Sequence, residues 1–368
     1  SRHDPGPERL RTMTLRIASY NVEWFAGLFG PEDVLLRDDS WSRRRDVTKA
    51  QQAQAIADVI RRVDPDILMI VEGPDHGSEN STTRALETFA KTFGLRQSQA
   101  LHGFPNGTRQ ELALMFDPAR VTMRHMPIGE PFEPRQGDAA IELKDLNADD
   151  YAPRFDSLLP LDIDDDNRID LHRFSKPPLE AEVKVGAQKL RFIGVHAKSK
   201  APHGARSEAE AVQMHIANRR KQLAQCEWIR RRVEYHLDRN DPVVVLGDFN
   251  DGPGIDQYER LFGRSGVELV MGPAGNPARQ LRNPFVSERI RPGFGPRPAS
   301  ARFFLHQEKR WLNALIDFVM ISPDLEQAAS DWRIWHPFDD KACFADHGLR
   351  TALLDASDHF PVSVDLAL

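Results

Sequence analysis

The sequence predicts an α/β protein in which buried strands alternate with amphipathic helices. Two short apolar runs, at 67–71 and 243–246, are rich in β-branched residues, which is typical of strands covered on both faces. Hydrophobic residues recur at helical spacing in three other segments, at 48–63, 82–93 and 207–237. Strands and helices that alternate along a chain indicate sheets whose outer faces are covered by helices.

The composition is that of a soluble globular protein, with 40% hydrophobic and 28% charged residues. A chain of 368 residues can bury a large core, and we expect residues 14–368 to form a single domain. The net charge is −6 and the isoelectric point is about 6.1, so any binding of nucleic acid must be local. No apolar run approaches about 18 residues, and we therefore expect no transmembrane helix.

The two cysteines and the N-terminal segment bear on localisation. Cys226 and Cys343 form neither a metal-binding spacing nor a disulfide framework, which favours a reducing compartment such as the cytoplasm. Residues 1–13 are polar and lack the apolar core of a signal peptide, so we interpret them as a leader or an expression remnant. Secretion after removal of an earlier signal peptide stays open.

The first half of the chain predicts three strands and two helices. Residues 15–20 alternate as a strand does, and Thr48 with Gln51 forms a capping box that begins a helix. Asp64-Pro65 ends that helix before the buried strand at 67–71. A second helix at 82–93 and a strand at 111–116 follow.

The second half predicts a hairpin, a long helix and three more strands. Residues 179–185 and 190–195 flank Gly186 as a hairpin, and Ser207 caps a helix that extends to about residue 237. The arginines of this helix are expected to form a solvated face. They are Arg219, Arg220 and Arg230 to Arg232. The remaining strands are expected at 243–246, 315–321 and 362–366.

Two segments depart from this alternation. Residues 138–170 contain 11 acidic and three basic residues, which predicts a solvated acidic insertion. Asp162, Asp164 and Asp166 alternate as in a calcium loop, but the glycine and the glutamate that such a loop requires are missing. Residues 264–310 carry nine basic residues with interleaved phenylalanines, which suits a phosphate backbone with stackable bases. An irregular surface loop is the alternative for this segment.

Hard polar groups stand at or near the ends of six predicted strands. They are Asn21 with Glu23, Glu72, His196, Asp248 with Asn250, Asp317, and Asp358 with His359. Each group alone could close a strand in an ordinary polar turn. Because burial of unpaired carboxylates is unfavourable, six such groups together indicate convergence on a shared cation. Oxygen ligands with few histidines and no thiolate favour Mg²⁺ or Mn²⁺ over zinc.

The order of these motifs resembles that of the endonuclease/exonuclease/phosphatase, or deoxyribonuclease I-like, superfamily. The motifs are N-x-E, D-P-D-I-L-M-I-V-E, G-V-H-A-K-S-K, G-D-F-N-D, I-D-F-V and S-D-H-F-P-V, and they span residues 15–366. The resemblance implies a four-layer α/β/β/α sandwich of two mixed sheets flanked by helices, with the active site at one edge. It also implies a metal-dependent phosphodiesterase.

The resemblance assigns a role to each motif residue. Glu72 would be the principal Mg²⁺ ligand, and Asn21, Glu23 and Asp358 would complete the metal site. His359 would contact the scissile phosphate and be oriented by Asp317. The remaining assignments are Asp248 for the attacking water, Asn250 for the phosphate and His196 as a second histidine. Either Asp248 or His359 could be the base. Arg109, Lys198 and Lys200 are candidates for further phosphate contacts, and a solvated position on the surface is the alternative for each.

The substrate stays open at this stage. A nuclease acting on DNA or RNA is the leading hypothesis, because the motif set is joined by the basic and aromatic segment 264–310. The alternative is a phosphatase or phosphodiesterase for a small phosphorylated molecule or a lipid headgroup, which the net negative charge and the acidic insertion favour. A scaffold without turnover is the third possibility, and the intact motif residues oppose it. The oligomeric state is not predicted.

Overall fold

Two mixed β-sheets form the centre of the protein. The computed structural model describes residues 13–44, 46–132, 152–163, 168–202, 204–254, 263–286, 297–305 and 309–368. The first sheet has six strands, in the spatial order β14 (Ala329–Ile334), β15 (Val362–Ala367), β1 (Thr14–Asn21), β2 (Ile67–Gly73), β4 (Glu111–Phe116) and β3 (Gln99–His102). The second sheet has five, in the order β13 (Asp317–Ile321), β10 (Val243–Asp248), β9 (Gln188–His196), β8 (Leu179–Val185) and β5 (Thr122–His125).

Helices cover the outer face of each sheet. Those on the first sheet are α1 (Lys49–Val63), α2 (Thr82–Phe93), α5 (Lys341–Ala345) and α6 (His347–Ala356). Those on the second sheet are α3 (Glu208–Leu237) and α4 (Gly266–Met271). A third apolar cluster lies between the sheets, where Ile17 and Met69 of the first meet Phe192 and Leu246 of the second. The predicted four-layer α/β/β/α sandwich is confirmed.

The helices begin where the sequence predicts. Thr48 and Gln51 exchange both hydrogen bonds of a capping box at the start of α1, and Asp64 ends this helix in the left-handed conformation. The Ser81 and Ser207 side chains accept hydrogen bonds from the first turns of α2 and α3. These ends form as predicted because capping requires only residues near each other in the chain.

The prediction of a solvated arginine face on α3 is wrong for three of its five arginines. Arg219, Arg230 and Arg232 are buried, whereas the prediction assumed that one side of the helix faces water. Arg230 donates to the carbonyls of Val270 and Met271, and Gly272 leaves room for it because a Cβ there would approach the guanidinium to 2.3 Å. The helix is covered on a second side by α4 and by the chain around residues 152–155, whose carbonyls need donors.

The two unusual segments are only partly described. Residues 138–151 and 164–167 lie outside the described residues, so the calcium-loop hypothesis for Asp164 and Asp166 is not addressed. Near them, β6 (Leu159–Leu161) pairs with β7 (Asp170–His172). In the other segment, residues 287–296 and 306–308 lie outside the described residues, and residues 301–305 form β11 (Ala301–Leu305), which pairs as a hairpin with β12 (Arg310–Ala314). Within the described ranges, no helix is both long and apolar enough to cross a membrane.

The buried His236 predicts a pH-dependent stability. Its Nδ1 lies 2.9 Å from Asp241 Oδ2, yet burial lowers the pKa of His236 to about 4. The unfolded histidine takes up a proton near pH 6.5, whereas the folded one stays neutral to lower pH. The folded state is therefore favoured fully above pH 6.5, and it loses stability as the pH falls below that value. Between pH 7 and pH 5 the group should remove about 2 kcal/mol from the free energy of unfolding. Urea unfolding of the protein and of His236→Asn at both pH values measures the difference, and an equal pH dependence in the two would contradict the expectation.

Candidate active site

The predicted polar residues lie at one edge of the sandwich because the strands that carry them end or begin there. In the first sheet, β1 and β2 are parallel and end at Asn21 and beside Glu72, while β15 runs antiparallel to β1 and begins just after His359. In the second sheet, the parallel strands β9 and β10 end at His196 and Asp248, and the antiparallel β13 begins beside Asp248. Its first residue, Asp317, is paired with Asp248.

A histidine bonded to a carboxylate forms the centre of the site. His359 Nδ1 lies 2.9 Å from Asp317 Oδ2, and the Ser300 hydroxyl donates to the same oxygen at 2.8 Å. Burial lowers the pKa of His359, but the charge and hydrogen bond of Asp317 outweigh it and raise the pKa well above the usual value. The imidazole is therefore protonated at neutral pH, and its Nε2 faces Asp248 Oδ2 at 4.0 Å.

Asp248 is held from two sides. Its Oδ1 accepts the backbone N–H of Asn250 at 2.7 Å, and its Oδ2 accepts the side-chain amide of Asn21 at 3.0 Å. Burial, followed by the charge of Asp317, raises the pKa of Asp248 to about 7, while His359 and the two hydrogen bonds oppose the rise. A carboxylate with such a pKa can exchange a proton near neutral pH.

Lys176 is a site residue that the sequence analysis missed. Its Nζ lies 3.3 Å from His196 Nε2, and His196 Nε2 lies 3.8 Å from Asp248 Oδ2. Burial lowers the pKa of Lys176, and the nearby charges of Glu72 and Asp248 oppose that effect. Burial, followed by the charge of Lys176, lowers the pKa of His196 well below its usual value, so this imidazole is neutral. A single lysine before Pro177-Pro178 provides no periodic signal that sequence analysis could detect.

Glu72 and its neighbours form an acidic side of the site. Glu72 has φ 60°, a left-handed conformation that is uncommon outside glycine, and its Oε2 accepts the backbone N–H of Trp24 at 3.2 Å. Glu23 Oε2 pairs with Arg44 and also accepts the backbone N–H of Asp358. Among the described residues, no lysine or arginine lies within 4.0 Å of the Glu72 carboxylate. Glu72 therefore has no direct ion pair there, and the charge of Lys176 acts on it only at longer range.

The comparison with protein families agrees with this arrangement. The model of the Endonuclease/Exonuclease/phosphatase family matches residues 18–359. The protein belongs to this family. It is accordingly a phosphoester hydrolase, and its predicted family assignment is confirmed. No curated protein matches it in sequence.

Solved structures are similar to this family member at low sequence identity. TDP2 from Caenorhabditis elegans is 14% identical with a TM-score of 0.50, over 98% of this chain and 77% of that one. An AP endonuclease from Archaeoglobus fulgidus is 12% identical with a TM-score of 0.45, over 96% and 100% of the two chains. The 3' phosphatase NExo from Neisseria, bound to a product DNA hairpin, is 14% identical with a TM-score of 0.47, over 96% and 100%. At these identities the likeness bears on the fold alone.

The basic residues proposed for phosphate contacts have different surroundings in this family member. Arg109 lies in the loop that precedes β4 at the active edge, and its side chain is 79% exposed. Its Nε lies 3.8 Å from Asp75 Oδ2. Lys198 is half-buried in the segment after His196. Lys200 requires a correction, because its ammonium is buried and bonded to the Asp251 carboxylate. The sequence places Lys200 near the site but cannot show this pairing.

The residues of this edge fit a hard divalent cation. Asn21 Oδ1 is buried without a hydrogen-bond partner among the described residues, so one amide oxygen is available as a ligand. Glu72 and Asp358 add carboxylate oxygens, whereas Glu23 is already engaged by Arg44. Asp248, Asp317 and His359 also offer ligand atoms within 4.8 Å of one another. His359, however, is bonded to Asp317 through Nδ1, and the charge of Asp317 raises the pKa of the imidazole, which favours the protonated form over a metal ligand.

Proposed function

We propose that the protein hydrolyses phosphodiester bonds of nucleic acid with the help of Mg²⁺ or Mn²⁺. One observation carries this proposal: the charged His359–Asp317 pair faces the Asp248 carboxylate, which Asn21 and Asn250 hold in place. A protonated donor opposite a carboxylate with a pKa of about 7 is the arrangement that hydrolysis of a charged ester needs.

The metal would be held by Glu72, Asn21 and Asp358. When bound, it would withdraw charge from the phosphate oxygens and so favour attack by water. Glu23 would act at a distance, because it fixes the Asp358 backbone while Arg44 balances its own charge. Oxygen-only ligands support Mg²⁺ or Mn²⁺.

The protein's own side chains would bind the phosphate, orient the attacking water and accept its proton. His359 Nε2 would donate a hydrogen bond to a phosphate oxygen, and Asp317 would keep the imidazole charged and oriented. Asp248 would orient the attacking water and accept its proton. Because His359 is protonated, we favour Asp248 over His359 as the base. Asn250 and His196 would complete the contacts to the phosphate.

The hairpin beside the site supports nucleic acid as the substrate. Ala301 of β11 forms a backbone bridge with His359, so the hairpin is attached directly to the site. On the hairpin, the Arg302 guanidinium lies 4.0 Å from the ring centroid of Trp311 and 4.8 Å from that of Phe338. These two rings are 52% and 42% exposed, and exposed aromatic and cationic groups suit stacked bases and a phosphate backbone.

A small phosphorylated molecule is the second candidate substrate. The net charge of −6 repels a long polyanion except where basic groups are concentrated, and a small ester would avoid that repulsion. Both candidates use the same chemistry at His359 and Asp248. They differ only in the surface contacts outside the site.

The proposal predicts metal-dependent cleavage of DNA. The protein is incubated with supercoiled plasmid, single-stranded DNA, bis-p-nitrophenyl phosphate and p-nitrophenyl phosphate, each with Mg²⁺, Mn²⁺ or EDTA. We expect nicking and diester hydrolysis with metal, and a loss of more than about 100-fold in EDTA. Release from the monoester without nicking would identify a phosphatase instead.

Glu72→Gln should weaken metal binding, so that a higher Mg²⁺ concentration is needed for half-maximal activity. The exposed Glu79→Gln is its matched control.

A further inference from the structure

The loops that follow His196 and Asp248 are joined by hydrogen bonds to each other and by a side chain that lies outside the family motifs. The loop after β9 (residues 197–200) and the loop after β10 (residues 249–251) lie side by side at the active edge. Ala197 N donates to Asp248 O at 2.9 Å, and the Asn250 side-chain amide donates to Ala197 O at 3.0 Å. Both hydrogen bonds join the first loop to the end of β10 or to the loop that follows it.

Gln222 of α3 binds the same two loops from behind. Its side chain is fully buried. Its Nε2 lies 3.1 Å from Lys198 O in the first loop, and 3.1 Å and 3.2 Å from Phe249 O and Asn250 O in the second. Three carbonyl oxygens around one amide nitrogen fix its orientation, because the reversed amide would direct an oxygen at all three.

A second anchor lies next to Gln222. Asp251, which follows Asn250 directly, is fully buried and pairs with Lys200 of the first loop. Its Oδ2 accepts the backbone N–H of Gly266 at 2.6 Å, at the start of α4. Arg219, one turn before Gln222 on α3, lies 3.6 Å from its Oδ1. Asp251 therefore connects both loops to the two helices behind them.

We propose that Gln222 is a positioning residue that holds the loops after β9 and β10 in one arrangement, with Asp251 as the second anchor. Gln222 and Asp251, which together we call the clamp, would keep His196, Asp248 and Asn250 directed at one point. Gln222 itself touches none of the reacting atoms. Misplacement of reacting groups by about 1 Å can lower a rate about 100-fold. The catalytic part of this inference rests on the proposed phosphodiesterase function.

The test combines kinetics with local hydrogen exchange. In Gln222→Leu, kcat for bis-p-nitrophenyl phosphate should fall about 10- to 100-fold while KM changes less than about threefold. Exchange protection of the Ala197 and Asn250 amides, both bonded to Asp248, should fall at least about tenfold. Asp251→Asn, which keeps the size of the side chain, should shift both quantities in the same direction. It provides the test if Gln222→Leu folds poorly.

Trp228→Phe is the matched control on the same helix. Trp228 is fully buried and its Nε1 donates at 2.8 Å to Pro153 O, which belongs to neither loop. This variant should lose stability but retain kcat and the exchange protection of the loops. Unchanged kcat and unchanged protection in Gln222→Leu and Asp251→Asn would overturn the inference. If the unmodified protein hydrolyses no diester, the proposed function fails, and the exchange data alone still decide whether the clamp exists.

Discussion

Replacement of His359 by alanine is expected to lower kcat/KM for a phosphodiester more than about 100-fold. The variant loses the protonated donor that faces Asp248 at 4.0 Å, and it leaves Asp317 with the Ser300 hydroxyl but without its cationic partner. The measurement is the hydrolysis of bis-p-nitrophenyl phosphate at saturating Mg²⁺, with circular dichroism to verify folding. Asp317→Asn should lower the rate less, because an amide can still orient the ring but cannot stabilise its charge.

The control for this prediction is another buried histidine that is paired with an aspartate. His236 bonds to Asp241, just before β10, and thus lies at the opposite end of the strand from Asp248. His236→Asn should retain the rate of the unmodified protein at pH 7. Near-normal activity of the His359→Ala variant would contradict the role proposed for His359. The proposed mechanism would then lack the charged donor that faces Asp248.

Replacement of Arg232 by leucine is expected to lower the free energy of unfolding by about 3–5 kcal/mol. Arg232 is 1% exposed and pairs with Glu180, which is 2% exposed. It also donates to the carbonyls of Ala152 and Pro153 at 3.0 and 3.1 Å. The leucine variant leaves a buried carboxylate whose remaining described donor is the backbone N–H of Ile128, at 3.1 Å. Urea unfolding at pH 7 measures the loss.

Two further variants separate the lost ion pair from a general effect of removing charge. The double variant Arg232→Leu with Glu180→Leu should recover part of the loss, because no charge is then buried alone. Arg61→Leu removes an exposed partner of Asp58, with side chains 48% and 41% exposed, and should change stability by less than about 1 kcal/mol. Equal losses in Arg232→Leu and Arg61→Leu would show that burial of the first pair carries no special cost.

Much of the fold was predictable because its signals are local. The capping box at Thr48 and Gln51 and the two buried apolar strands depend on residues close together in the chain, and both form as predicted. The membership of the site was also predictable, because polar residues at the ends of parallel strands and at the starts of antiparallel neighbours meet at one sheet edge. Asp248, Asp317 and His359 come together there as expected, while the roles assigned to the site residues stay predictions.

Tertiary structure alone decided the partners of the long polar side chains. Lys200 follows the motif of His196 in sequence, yet it binds Asp251 rather than facing outward. Lys176 reaches His196 from a segment with no motif, and Gln222 reaches two loops from the middle of a helix. Such side chains have several rotatable bonds, so their partners depend on which other elements lie within reach. Sequence pattern thus determined the strands and the polar groups at their ends, and only the packing of α3 against the strand ends decided which side chains contact the loops that follow them.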